Sequence, residues 1–371
     1  MTRPPTNSPS DATGRTVLIT GGAGFIGANL ADRLATAGHH VIVYDALLRP
    51  GVEANLAWLE ARHPGRLSVV VGDIRDADQV AVCAADADAV FHLAAQVAVT
   101  TSLVTPLEDF TINLGGTLTV LEALRRCGAA VPFIFASTNK VYGNLPDLPL
   151  TATNDAYMPA DIELRRWGIS EERPLDFHTP YGCSKGGADQ YVRDYARSFG
   201  IPTAVMRMSC IYGPRQMGTE DQGWVAHFLI SALEERPISI YGDGRQVRDI
   251  LHVSDAVTAY LAAWERIETI AGQAFNLGGG PDNAVSLRQV LTYIETLVGR
   301  PINLRFSDWR AGDQRYYVSD IRRATSVLGL PTPMPWQQGV ADLAAWLSEA
   351  RGVATLPGPG LRPIPLMGAA E

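Results

Sequence analysis

Lysine is almost absent from this chain. Of 31 basic residues only two, Lys140 and Lys185, are lysine, and the rest are arginine. In such a background a remaining lysine marks a place where a compact, tunable ammonium serves better than a planar guanidinium. A basic surplus is missing as well, because 39 acidic residues leave a net charge of −8 and no Lys/Arg run stands out. Nucleic acid is therefore not expected as a partner, since its phosphates would need neutralising. No stretch approaches the roughly 18 uninterrupted apolar residues that suggest a membrane span, and Met1 to Thr13 carries no apolar signal core. A cytoplasmic location without membrane contact is expected. Cysteine is scarce too, and Cys83, Cys127, Cys183 and Cys210 have neither paired metal-ligand spacing nor the density of a disulfide framework. No metal is expected. No internal repeat is visible.

What is present is an ordinary globular composition, 46% hydrophobic over 371 residues, long enough for two lobes. Short apolar runs at Thr16–Ile19, Val41–Tyr44, Leu67–Val71, Ala89–Leu93, Phe133–Ala136 and Thr203–Met206 read as strands. Helix-like stretches separate them, among them Phe25 to Ala37, Leu114 to Arg126 and Pro180 to Phe199. Such alternation predicts an α/β fold with a doubly wound parallel sheet of Rossmann type. The expected division is a flexible tail over residues 1–13, a dinucleotide-binding domain over 14–208 with a later return strand and helix around 245–277, a smaller mixed α/β substrate lobe over 209–349, and a Pro/Gly-rich tail over 350–371.

Between the first strand and the first helix runs Thr20-Gly-Gly-Ala-Gly-Phe-Ile-Gly27, with Gly22, Gly24 and Gly27 in GxGxxG spacing. Glycine permits the tight turn and a close approach to a pyrophosphate, while the helix start offers unpaired N–H groups. The second strand ends in Asp45, near the offset of ~20 residues expected for a carboxylate on the adenosine ribose. That acid would repel a 2′-phosphate, so NAD is favoured over NADP, although Arg49 lies nearby.

Tyr181 and Lys185 stand one helical turn apart and share a face. A phenol ionises near pH ~10, and a neighbouring ammonium would favour its phenolate. Lowering its pKa by about three units takes only about 4 kcal/mol, so Tyr181 is expected to serve as the base that accepts a hydroxyl proton. Thr138 closes the strand that begins at Phe133, and strand ends in such a sheet face the ligand crevice, so its hydroxyl is expected to bond the reacting oxygen. Cys183 is expected to be a packed small side chain, Ser184 and Lys185 to point apart, His39 and His40 to lie on the surface, and His252 to be structural.

These motifs, with Gly72-Asp73-Ile74, His92-Leu93-Ala94-Ala95, Asn113 and Val141-Tyr142-Gly143, resemble the extended short-chain dehydrogenase/reductases that act on nucleotide sugars. The resemblance spans residues 15 to 349. It implies that Gly21, Gly24, Phe25, Ile26, Gly27, Asp45, Arg49, Asp73, Ile74, Leu93, Ala94, Ala95, Gln96 and Asn113 contact NAD, together with Tyr181 and Lys185. It implies further that Thr138, Tyr181 and Lys185 are catalytic, and that Gln96, Thr138, Asn139, Gln222, Arg248 and Arg310 meet the substrate, the two arginines on its diphosphate. Stretches such as DFHTPYGCSKGGADQY and GRQVRDILHV are nearest to a branch that epimerises C2 of a CDP-linked sugar, and a homodimer or higher homo-oligomer is implied. Ala46 departs from the family's usual asparagine, and Asn144 to Asp176 is long for a connector. Dehydratases of the family place Asp-Glu after the catalytic threonine, and here stands Asn139-Lys140, which disfavours elimination of water. C4 epimerisation, decarboxylation of a nucleotide uronate and a non-catalytic NAD-sensing role are the alternatives.

Overall fold

Each apolar run read above becomes a strand in the computed structural model, which describes residues 14–128 and 130–353. The expected tail over 1–13 and most of that over 350–371 lie outside the described residues, and the second is corrected at its start, where 350–353 finish a helix and its cap. Seven strands form one parallel sheet: β1 (Thr16–Thr20), β2 (His40–Asp45), β3 (Leu67–Val71), β4 (Ala89–His92), β5 (Phe133–Thr138), β6 (Thr203–Met208) and β7 (Gln273–Leu277). Their spatial order is β7-β6-β5-β4-β1-β2-β3, so the winding reverses between β1 and β4 and opens a crevice at their carboxyl ends. Near-continuous burial explains the legibility of six of these runs, because a parallel strand inside the sheet is covered on both faces, whereas β3, at the sheet edge, has no buried residue. One face carries Leu30 and Leu34 of the Phe25–Thr36 helix with Tyr260 and Trp264. The other carries Leu121 and Leu124 of the Gly116–Cys127 helix with Ala188 and Val192 of the Thr179–Phe199 helix.

A buried histidine closes β4. His92 Nδ1 lies 2.6 Å from Thr20 Oγ1 and its Nε2 lies 3.0 Å from Thr117 Oγ1, which itself donates to the Asn113 carbonyl at 2.6 Å. That chain assigns a neutral ring with its proton on Nε2. Burial, aided by Lys185, pushes its pKa from 6.5 down to about 3. Below pH 6.5 the unfolded chain therefore takes up a proton that the fold refuses, and stability contributed by the neutral ring is lost as pH falls toward 3. Urea unfolding of the wild type and His92→Gln between pH 7 and 4 should show a steeper loss in the wild type; parallel curves would contradict the assignment.

The second lobe packs the helices Trp224–Leu233, Leu287–Val298 and Trp336–Arg351 around Leu229, Ile294, Leu343 and Leu347. A small mixed sheet pairs Val247–His252 with Cys210–Tyr212, Ala284–Ser286 and Tyr316–Tyr317. The chain then returns to the first lobe, as the Val253–Glu265 helix joins one face of the main sheet and β7 extends its edge. The long segment after Asn144 forms a hairpin, Leu150–Ala152 with Tyr157–Pro159, and the Ile162–Trp167 helix. Its Leu145, Leu148 and Leu164 pack with Tyr142 and Tyr317.

Two asparagines stitch the lobes beside the glycine turn. Asn29 Nδ2 donates to the carbonyls of Phe25 and Pro214 at 2.9 and 3.0 Å, and Asn55 Nδ2 to those of Ala23 and Arg215, each at 3.2 Å. One expectation is corrected: Cys183 is exposed, because it lies on the helix face opposite the core. Among the described residues no helix is long and apolar enough to cross a membrane.

Candidate active site

The glycine turn leaves β1 under tight constraint. Gly21 adopts φ +72°, and a Cβ there would stand 2.7 Å from the Ala94 amide nitrogen. At Gly27 it would stand 2.2 Å from the Gly21 carbonyl oxygen, so the helix can approach the turn only without a side chain. Gly24 caps this helix without a side-chain hydrogen bond, and its first turn contains no acid. The first-turn N–H groups of Phe25, Ile26 and Gly27 thus face a cradle closed to any Cβ yet suited to a diphosphate, which fits a dinucleotide.

Asp45 ends β2 and accepts from the N–H of Ala23 at 3.0 Å and of Leu47 at 2.9 Å. A carboxylate offers about four acceptor sites, so capacity for ribose hydroxyls remains. Burial lowers the pKa of Arg49, opposed by Asp45. Asp73 is gripped by Arg75 at 2.9 and 2.5 Å, which holds its carboxyl below the usual range. Ile74 turns inward, and a Cβ on Gly116 would come within 2.5 Å of it.

After β4 the Leu93 N–H bonds the Thr20 carbonyl at 2.9 Å and the Ala94 N–H reaches the Thr20 hydroxyl at 3.3 Å, which sets the Leu93 to Gln96 segment, Ala95 included, along the turn. Asn113 holds that segment from behind: its Oδ1 accepts from the Gln96 N–H at 2.9 Å and its Nδ2 donates to the Gln96 carbonyl at 3.0 Å. The Gln96 side chain is itself engaged, donating to the Ala98 carbonyl and to Asp109 Oδ1, both at 2.9 Å. The amide nitrogens of both residues are thus engaged within the fold, partly by a buried acid, while each amide oxygen accepts one bond and keeps a second acceptor site. Asp109 is fully buried and also accepts from Ser184 Oγ at 2.5 Å and Asn113 Nδ2 at 3.1 Å. Burial raises its pKa against those hydrogen bonds. The sequence reading missed it, yet Asp109 and Asn113 lie one helical turn apart and share a face.

Tyr181 and Lys185 lie in the first two turns of the Thr179–Phe199 helix, started by Pro180. Lys185 is buried, its ammonium 4.1 Å from the centroid of the Phe135 ring. Burial pushes it down to about 7, against Asp189 and Asp109. The expectation of a lowered phenol pKa is not met by the protein alone. Burial pushes Tyr181 up to about 12, with the Thr138 hydroxyl bonding it and favouring the phenolate, and Asp109 opposing. Desolvation dominates at the phenol, while the Lys185 ammonium lies over Phe135. Beneath them Ser137 Oγ donates to Asp189 at 2.8 Å, and Arg207 grips the same carboxylate with two bonds of 2.9 Å.

Across the crevice, Asn139 Nδ2 donates to Gln314 Oε1 at 3.2 Å. Arg248 pairs with Asp313 at 2.7 Å. Arg310 lies over the Tyr241 ring at 3.8 Å, donates to the Glu220 carbonyl at 3.0 Å and faces the carboxylates of Glu220 and Asp221. Gln222 closes the same turn by bonding Thr219 through its backbone. Both guanidiniums therefore already meet oxygen acceptors of the kind a phosphate would offer.

The family model described as NAD dependent epimerase/dehydratase matches residues 17–278. The chain is 42% identical to a CDP-paratose 2-epimerase of Salmonella typhi over 90% of its length and 99% of that protein's. It is 33% identical to a UDP-glucose 4-epimerase of Mycolicibacterium smegmatis, covering 87% and 96% of the two chains. Among solved structures, the UDP-glucuronic acid 4-epimerase of Bacillus cereus in complex with UDP-glucuronic acid and NAD superposes with a TM-score of 0.77 at 27% identity, covering 90% of this chain and 99% of that one. The cradle, the crevice and these likenesses agree, and this chain belongs to the NAD dependent epimerase/dehydratase family, with NAD as its coenzyme.

Proposed function

We propose that this protein epimerises C2 of a nucleotide-linked hexose, a CDP-sugar above all, by reversible oxidation to a 2-keto sugar. Bound NAD supplies a hydride acceptor with a positively charged ring, and the hydride is later given back. Tyr181 takes the proton of the reacting hydroxyl as the hydride leaves the same carbon, while Thr138 holds that oxygen. The keto sugar turns over, hydride returns to its opposite face, and Tyr181 restores the proton. Atoms and electrons balance within one active site.

The observation that carries this reading is the pair after Thr138. Asn139 and Lys140 reach Gln314 and the Gly312 carbonyl, and neither supplies the carboxylic acid and carboxylate that elimination across a sugar needs. That disfavours dehydration, and the likeness to a 2-epimerase favours a redox-neutral inversion over decarboxylation of a nucleotide uronate. The 42% identity to a 2-epimerase supports C2 over C4. Incubation of CDP-, UDP- and GDP-sugars labelled with deuterium at C2, read by NMR, tests it. Inverted product that keeps its label is expected; washout, or inversion at C4, would overturn the reading.

Lys185→Ala should shift the pH–activity profile upward, because the phenol then ionises without the ammonium's help. An unmoved profile would remove that role. Self-association is proposed with the function: Leu103, Val104, Leu107 and Phe110, on the helices Val99–Val104 and Pro106–Phe110, are exposed, and an apolar row of this kind suits a second copy.

A further inference from the structure

The proposed reaction leaves Lys140 without a part. It stands two residues after Thr138, in the helical turn Asn139–Tyr142 at the end of β5. Its Nζ donates to the Gly312 carbonyl at 3.0 Å. Gln314, which receives the Asn139 amide, in turn donates to the Gly143 carbonyl at 2.6 Å. The strand end is thus laced to the Trp309–Gln314 loop at three points, and this loop carries Arg310 and Asp313. Gly312 adopts φ +73°, and a Cβ there would stand 2.7 Å from Thr179 Cγ2 at the start of the helix bearing Tyr181. Loop, strand and helix therefore meet at the carbonyl that the ammonium holds.

The charges around Lys140 are unbalanced. Arg248 and Asp313 form an ion pair beside it, so two cations share one carboxylate. Burial and then Arg248 push the ammonium down to about 8, with Asp313 and Cys210 opposing. An ammonium has three donors and this one gives one to Gly312, which leaves donors for an anion. A guanidinium, planar and larger, could not take the same single carbonyl without moving the loop.

We propose that Lys140 is a positioning residue: it fastens the Trp309–Gln314 loop against the catalytic strand and, with Arg248, presents excess positive charge to the diphosphate of the nucleotide sugar. This rests on the nucleotide-sugar reading above. Lys140→Met keeps the stem and removes the charge. In the NAD-loaded full-length protein, titration with CDP, UDP and GDP should show affinity for the best of them weakened about ten- to hundredfold, the range for one charge-assisted hydrogen bond. KM for the sugar nucleotide should rise by a similar factor with kcat changed only a few-fold, and Lys140→Arg should recover part of the loss. Amide exchange at Ala311 to Asp313 should quicken in Lys140→Met while the Thr179–Phe199 helix keeps its protection. Unchanged nucleotide affinity, or a fall in kcat at constant KM, would overturn the proposal. Should Lys140→Met fold poorly, nucleotide affinity of Lys140→Arg equal to wild type would overturn the fit argued for an ammonium. A wild type that binds a nucleoside diphosphate yet inverts no C2 defeats the epimerase reading and leaves this one standing.

Discussion

Tyr181→Phe should cut turnover about 10²- to 10⁴-fold, the usual contribution of one positioned acid–base group, while fold and NAD content stay as in the wild type. The phenol's hydrogen-bond partner is Thr138, and the acid beneath the helix, Asp109, bonds Ser184, Gln96 and Asn113. Removing one oxygen therefore leaves the packing of the helix intact. Burial holds the phenol near 12, so its ionisation depends on positive charge brought to it, and the loss should appear in kcat and kcat/KM alike. Turnover within threefold of wild type, or purification without NAD, would contradict the assignment.

Arg207→Met should be the most destabilising of the single changes considered. Asp189 is completely buried and accepts from Ser137 and from two nitrogens of Arg207, which also donates to Tyr142 Oη at 3.1 Å. Without the guanidinium that buried carboxylate would keep only the Ser137 and Gln190 donors and the more distant Lys185 ammonium, a loss approaching the about 3–5 kcal/mol of a broken buried pair. Urea unfolding should shift accordingly, while the double variant Arg207→Met with Asp189→Leu should recover much of the difference. A single variant as stable as the wild type would show that the pair is dispensable. Activity should fall too, because Ser137 precedes Thr138 and Asp189 lies one turn beyond Lys185.

The main sheet was legible because buried parallel strands are written as continuous apolar runs bounded by turns, as in the wholly buried β5, while β3 lies at Leu67–Val71 as expected although it is an edge strand and half open to solvent. β7 was harder to read, since its Asn276 is polar; it accepts from Tyr142 Oη at 2.7 Å and donates to the Ile169 carbonyl at 2.8 Å, partners far away in the chain. The segment after Asn144 was opaque for the same reason, as its leucines are covered by Tyr317. At the site, glycine spacing and the one-turn offset of Tyr181 and Lys185 could be read directly. The balance between desolvation and charge at the phenol could not, because it depends on burial that only the packed structure defines. Asp109 looks like any surface acid until three donors are found around it.

Asn29 and Asn55 bind the 214–215 carbonyls at the edge next to the glycine turn. Because each asparagine also holds a carbonyl of the glycine turn or of the helix it starts, residues 214–215 are pinned directly beside the cradle. A coenzyme seated in that cradle would be walled by both sides of the join, which suits one that is regenerated within each turnover.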